Sequence, residues 1–270
     1  MNKLMAFKLY LKKFPLPLNI HEFQAFRYGP KVIANSMPKG GTHLLTRILS
    51  LLPLLIPRWH YHIVSANLKL PEELPNIRKG QYISTHLYWS QELINALNTT
   101  EIRTLFIIRD LRDVVVSRAY YLTHMLRGHP LDSYLNSLSD SEQLMAAIVG
   151  VEGYGIMQSI GNWARGYMPW LDEQTCLTIR FEDLIGSSGG GSDEKQIETV
   201  RAILFHLNIQ LSENQIQEIA NKAFFNKVNT FRKGQIGDWE NHFTEEHKQT
   251  FKEIAGEALI KLGYTNGYEW

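Results

Sequence analysis

Apolar residues in this chain fall into short unbroken runs separated by stretches of helical spacing, and the first such pair sets the pattern. Lys31–Asn35 (KVIAN) is an apolar run that predicts a buried strand. After a Pro-Lys-Gly-Gly-Thr-His turn, Leu44, Leu45, Ile48, Leu51 and Leu52 recur at the spacing of one helix face. Gln81–Thr85 (QYIST), Arg103–Ile108 (RTLFII) and Thr175–Ile179 (TCLTI) repeat the strand signal, the second as a continuous β-favouring run suited to a central parallel strand. Helices are expected from Asp113, as cap, through Val114, Ser117, Tyr120 and Tyr121, and over Gly153–Trp170 with Met157, Ile160, Trp163 and Ala164 on one face. Two more follow residue 192, the second opening at Ser212 with Gln215 three residues on, a capping-box pattern. A last one covers Glu245–Leu262 and ends before Gly263. Strands alternating with helices imply βαβ units and the α/β class: one domain with a central, mainly parallel sheet flanked by helices, and ligands at the carboxyl ends of the strands. Three stretches show neither period. Pro53–His62 (PLLIPRWHYH) reads as a proline-punctuated loop, Gly186–Ser192 (GSSGGGS) as a flexible one, and Asn229–Thr244 as an ordered one.

Composition narrows this picture without redirecting it. A length of 270 residues suits one domain over 1–270, with 1–29 as an N-terminal strap whose Lys8, Lys12 and Lys13 interrupt any signal-peptide core. The net charge of +1, from 28 basic and 27 acidic residues, provides no global field for nucleic acid or an anionic membrane. Anion recognition must therefore be local. The single cysteine, Cys176, excludes an internal disulfide and a cysteine-based zinc site, which fits a reducing compartment. The most apolar stretch, Leu44–Ile56, is broken by Arg47 and Pro53 and is too short to span a bilayer, so the expectation is a soluble, cytoplasmic protein without a transmembrane segment.

The turn between the first strand and helix is the candidate chemistry. Backbone N–H groups at a helix N-terminus have no internal partners and face the positive end of the dipole, so strand, glycine turn and helix form a phosphate cradle. Lys39 adds a full charge; Thr42 and His43 add side-chain donors. A Walker A loop ends in Gly-Lys-Ser/Thr, whereas here Lys39 precedes Gly40, Gly41 and Thr42, so this is not the ordinary nucleotide triphosphatase loop. His86, Arg109 and Arg180 also stand just after expected strands.

Three segments, in order, resemble the sulfotransferases that use 3′-phosphoadenosine 5′-phosphosulfate (PAPS), in particular the soluble cytosolic type. Pro38-Lys39-Gly40-Gly41-Thr42 is similar to that family's 5′-phosphosulfate loop, where serine is commoner than Gly40. Arg109-Asp110-Leu111-Arg112-Asp113-Val114-Val115-Val116-Ser117 resembles its 3′-phosphate motif, and Arg232-Lys233-Gly234 with Gly237-Asp238-Trp239 resembles its C-terminal loop. The resemblance runs from about residue 30 to 264 and implies sulfuryl transfer from PAPS to a hydroxyl or amine of a small-molecule acceptor, leaving 3′-phosphoadenosine 5′-phosphate (PAP), with no metal. It implies that Lys39, Gly40, Gly41, Thr42 and His43 hold the phosphosulfate. Arg109, Ser117, Arg232, Lys233 and Gly234 would hold the 3′-phosphate, with His86 as general base and Lys39 on the leaving oxygen. Lys39, His86 and Ser117 form the implied catalytic set. Leu44 stands where a stacking tryptophan is usual and Phe181 where a tyrosine is usual, so Phe225 becomes the candidate adenine ring. Ser84 stands where a second active-site lysine is common, and Glu240 and Glu245 break the family's dimer motif, so a homodimer of that kind is not expected. Trp59, Tyr61, His62, Tyr88, Trp89, Tyr120, Tyr121 and His124 are the acceptor-pocket candidates. Two alternatives remain at this point: a P-loop small-molecule kinase, disfavoured by the reversed lysine, and a non-catalytic nucleotide-binding protein, kept open by Ser84.

Overall fold

A computed structural model describes residues 20–64, 74–125, 128, 130–154, 157–223 and 234–270. Helix α1 (Ile20–Tyr28) precedes strand β1 (Lys31–Ser36), helix α2 (Thr42–Leu51), strand β2 (Ile56–Val64), strand β3 (Gln81–His86), helix α3 (Gln91–Thr99), strand β4 (Ile102–Ile108) and helix α4 (Leu111–His124). Helices α5 (Pro130–Asn136), α6 (Asp140–Val149) and α7 (Ile160–Arg165) lead to strand β5 (Cys176–Arg180) and the single turn α8 (Phe181–Leu184). Helices α9 (Asp193–Leu207), α10 (Glu213–Asn221) and α11 (Glu245–Lys261) complete the chain.

The five strands form one parallel sheet in the order β2-β3-β1-β4-β5. Its strands are apolar on both faces because both faces are covered. Val32 and Ala34 of β1 and Leu105 and Ile107 of β4 pack into one cluster with Leu45 and Ile48 of α2. Ile33, Phe106 and Ile108 point the other way, into a cluster with Val115 of α4, Trp170 and Phe251 of α11. The chain leaves β1 toward β3 and β2 on one side and returns to β4 on the other. The crevice at the carboxyl end of β1 is therefore the topological switch point, where open α/β sheets bind ligands.

Four expectations need correcting. Pro53–His62 is not a loop: most of it belongs to edge strand β2, with a register shift between Pro57 and His62. Proline is tolerated on an edge, where its missing N–H breaks no inner ladder, so the proline signal misleads there. The helix expected over Gly153–Trp170 shrinks to α7 plus a 3₁₀ turn at Met168–Asp172. Gly153 has φ +79°, the Ser159 hydroxyl accepts the Asn162 N–H and starts the helix there, and Pro169 opens the 3₁₀ turn. Asp110, not Asp113, caps α4, its side chain accepting the Arg112 N–H at 2.9 Å. The stretch expected as a flexible loop, 186–192, takes a defined path. It contains a 3₁₀ turn, Asp193 receives the Ser187 N–H and hydroxyl, and the Gly189 carbonyl accepts the Ile236 N–H at 3.2 Å. Of the expected N-terminal strap, 20–28 is helical; 1–19 lies outside the described residues. The capping boxes at Ser212/Gln215 and Thr244/His247 set the last two helices where the sequence puts them.

Candidate active site

The loop after β1 is built by two glycines. The Gly40 N–H turns back to the Met37 carbonyl at 2.9 Å, and a Cβ at Gly40 would stand 2.8 Å from that oxygen. Gly41 adopts φ +112° as N-cap of α2, with the Phe181 ring 2.8 Å from where its Cβ would be. Ala in either place would push the backbone at the helix N-terminus, where the first N–H groups have no intrahelical acceptor. Lys39 stands between the turn and these glycines at φ +70° and carries its ammonium 4.5 Å from the centroid of the Tyr121 ring. Thr42 Oγ1 and Ser36 Oγ are 2.5 Å apart. His43, next in line, is exposed, while Leu44 is buried in the core cluster on that face of the sheet.

His86 closes β3, and its Nδ1 lies 2.8 Å from the Ser36 carbonyl oxygen and 3.3 Å from Ser36 Oγ. A carbonyl only accepts, so Nδ1 carries the proton and Nε2 carries the lone pair, the tautomer a general base needs. The peptide after His86 is fixed from the central strand: Asn35, fully buried, accepts the Leu87 N–H at 2.8 Å and the Thr85 hydroxyl at 2.9 Å, and donates to the Leu87 carbonyl at 3.1 Å. Trp170 Nε1 donates to the same carbonyl at 2.9 Å. Asn35 and Ser36, which the sequence does not mark as candidates, thus also bear on the position of His86. Their signal is two polar residues, Asn and Ser, ending an otherwise apolar central strand.

Arg109 follows β4 and is 8% exposed. Its guanidinium lies over the Phe181 ring at 4.3 Å, donates to the Gln235 carbonyl at 2.9 Å and stands 3.6 Å from Asp113. Its Nε is buried with no hydrogen-bond partner among the described residues, so this cation retains an unmet demand for an acceptor. Asp113 turns away from α4 to accept the N–H groups of Gly237 and Trp239 at 2.9 and 3.0 Å, tying the C-terminal loop to the arginine segment. Burial raises its carboxyl above the usual range, a shift that Arg109 opposes. Arg112 pairs with Asp110 at 2.7 Å and lies between the rings of Trp239 and Trp270, at 4.1 and 4.4 Å. Glu182 accepts the Asp110 N–H and the Tyr264 hydroxyl, and burial pushes its carboxyl up as well. Arg180 is structural: it donates to the Leu262 and Gly263 carbonyls and stacks on Tyr264.

The crevice thus gathers Lys39, Thr42, His86 and Arg109 at the ends of β1, β3 and β4. Ser117, two turns into α4, is half-buried on the face that also carries Tyr121. Gly234 is described, whereas Phe225, Arg232 and Lys233 lie outside the described residues. Among the acceptor candidates, the Tyr88 hydroxyl accepts from Gln158 at 2.9 Å and its ring meets Tyr167 edge-on at 4.8 Å. The Trp89 N–H donates to the Gly166 carbonyl at 3.0 Å. Tyr120 stacks on His124 at 4.3 Å on the outer face of α4, with both exposed. Trp59, Tyr61 and His62 lie on β2, where only the backbone is described. No group of three or more His, Cys, Asp or Glu able to hold a metal occurs among the described residues, nor does a helix long and apolar enough to cross a membrane.

A family model described as the sulfotransferase domain matches residues 29–263. The chain is 22% identical to sulfotransferase 2A1 of Homo sapiens over 256 residues, covering 86% of this chain and 85% of that protein. It is 24% identical to sulfotransferase 6B1 of Danio rerio over 213 residues, covering 73% of this chain and 66% of that relative. Among solved structures, mouse sulfotransferase SULT7A1 complexed with PAP superimposes with a TM-score of 0.62 at 20% identity, over 93% of this chain and 92% of that one. Retinol dehydratase in complex with androsterone and the inactive cofactor PAP gives 0.57 at 17% identity, over 85% and 80%. At these identities the structural likeness establishes the fold.

Proposed function

Because this chain belongs to the sulfotransferase family, we propose that it moves a sulfuryl group from PAPS to a hydroxyl or amine of a small-molecule acceptor. The observation that carries this reading is the convergence, at one switch point, of the Lys39 cradle, His86 in its Nδ1–H tautomer and Arg109 with a buried Nε that has no partner among the described residues. The residues fit the nucleotide: the cradle offers backbone donors and an ammonium to one anionic end, and Arg109 with Ser117 offers a fork and a hydroxyl to the other. Arg232, Lys233 and Gly234 would complete that second end, and Phe181, Leu44 and Phe225 would border the base. PAPS supplies the sulfuryl group and leaves as PAP. His86 Nε2 takes the proton of the acceptor hydroxyl as its oxygen bonds to sulfur and the bond from sulfur to the phosphate oxygen breaks. Lys39 holds the charge that collects on that oxygen, and the Ser36 carbonyl steadies the imidazolium through Nδ1. Tyr88 and Trp89, two and three residues beyond His86, are placed in sequence to border the acceptor.

Calorimetric titration with PAP and transfer from labelled PAPS to a broad acceptor panel test the proposal. Micromolar or tighter binding of PAP is expected, with transfer that is lost in His86→Ala while PAP affinity stays within about threefold, because a neutral imidazole adds little to ground-state nucleotide binding. Failure of the wild type to bind PAP would sink the proposal. Transfer surviving His86→Ala within a few-fold would remove His86 as base.

A further inference from the structure

Lys39 is one of three non-glycine residues with positive φ among those described, at +70°. A β-carbon crowds the backbone there, so positive φ is uncommon outside glycine. One contact on that side chain is a ring: the Lys39 ammonium lies 4.5 Å from the centroid of Tyr121, inside the range where a cation is drawn to an aromatic face. Tyr121 stands on α4, a helix anchored at its start by the Asp110 cap and tied to the C-terminal loop through Asp113. Ser117 lies one turn earlier on the same helix, and both are half-buried. Residues four apart on a helix share a face. Ser117 and Tyr121 therefore share one helix face, and the second of them meets the lysine of the glycine turn.

We infer that Tyr121 is a positioning residue for Lys39: its ring face holds the ammonium over the glycine turn before nucleotide arrives, so that the lysine meets the phosphosulfate end already in place. This rests on the function proposed above for its nucleotide half. The aromatic face, rather than the phenol hydroxyl, makes the contact. Tyr121→Phe should therefore preserve the effect and Tyr121→Leu, apolar but without an aromatic quadrupole, should abolish it.

Two measurements test this. The first uses the free protein: trace acylation with acetic anhydride, read at Lys39 by mass spectrometry. Losing the ring face exposes the amine, so Tyr121→Leu should acylate about threefold or more faster at Lys39 while Tyr121→Phe stays within about twofold of wild type. The second is a PAP-binding cycle combining Tyr121→Leu with Lys39→Met. Tyr121→Leu alone should weaken PAP by about 2- to 30-fold, the span a cation–π contact commands, and should cost nothing further in the Lys39→Met background. Unchanged acylation in Tyr121→Leu would overturn the inference. So would equal losses of PAP affinity in both backgrounds, or Tyr121→Phe behaving like Tyr121→Leu; either outcome would make Tyr121 a wall of the site independent of Lys39. If wild type fails to bind PAP, the proposed function and the nucleotide half of this inference both fall, and acylation alone then decides whether Tyr121 holds Lys39.

Discussion

Replacing Asn35 by Ala probes the contact that aims His86 from the centre of the sheet. Asn35 is fully buried and makes three hydrogen bonds, to the Leu87 N–H, the Leu87 carbonyl and the Thr85 hydroxyl. In Asn35→Ala the Leu87 carbonyl keeps Trp170 Nε1 as donor, so its loss is small. The Leu87 N–H and the Thr85 hydroxyl are orphaned in a dry interior, at about 1–3 kcal/mol each, and the total comes to about 2–6 kcal/mol. That is a large part of the roughly 5–15 kcal/mol that holds a domain of this kind together. Urea denaturation followed by tryptophan fluorescence, at pH 7, measures it. Asn35→Asp supplies the control. Its Oδ1 still serves Thr85 and Leu87 N–H, but a second carboxylate oxygen replaces the amide donor 3.1 Å from the Leu87 carbonyl. Burial raises the pKa of such a carboxyl. The stability it contributes when protonated is present at low pH and lost as pH rises through that raised value, so Asn35→Asp should regain stability toward pH 5. A loss below about 1 kcal/mol for Asn35→Ala, or no acid recovery in Asn35→Asp, would refute the view that this amide clamps the His86 peptide.

Asp113→Ala should release the loop at Gly237–Trp239 and leave Arg109 without its nearest carboxylate, costing about 2–4 kcal/mol in denaturation and weakening PAP; unchanged melting would contradict the tie. Gly40→Ser, although serine is common at this place in the resembling family, puts a Cβ 2.8 Å from the Met37 carbonyl and should weaken PAP about tenfold, which titration would register. Glu182, raised by burial from 4.5, is held more readily protonated in the fold than in the unfolded chain. Its stabilising contribution is full below pH 4.5 and fades as pH rises through the raised value, so the wild type should lose more stability than Glu182→Gln between pH 4.5 and 7 in parallel denaturation series.

The local signals along the chain were sufficient for the class and for most of the residues that gather at the crevice. An apolar run followed by a glycine turn and a 3.6-residue period reads as strand, turn and helix, and four apolar runs separated by helical stretches imply a parallel sheet. Lys39, His86 and Arg109 were legible because each stands just past an apolar run, and a parallel sheet brings all such positions to one edge. Capping boxes fixed the last helices because their hydrogen bonds close within four residues. What stayed hidden depends on partners distant in sequence. Asn35 reaches Leu87 across the pairing of β1 with β3, and no local pattern marks an amide as a clamp. β2 is a strand because β3 pairs with it, despite its proline. The path of 186–192 is held by Ile236, and Tyr121 meets Lys39 only once α4 lies beside the first loop. Sequence by itself determined which residues stand at the carboxyl ends of the strands, because that is a matter of period and punctuation. The tertiary structure decided which of them touch, in which tautomer and on which ring face, because those follow from the packing of elements that local propensity leaves free to move.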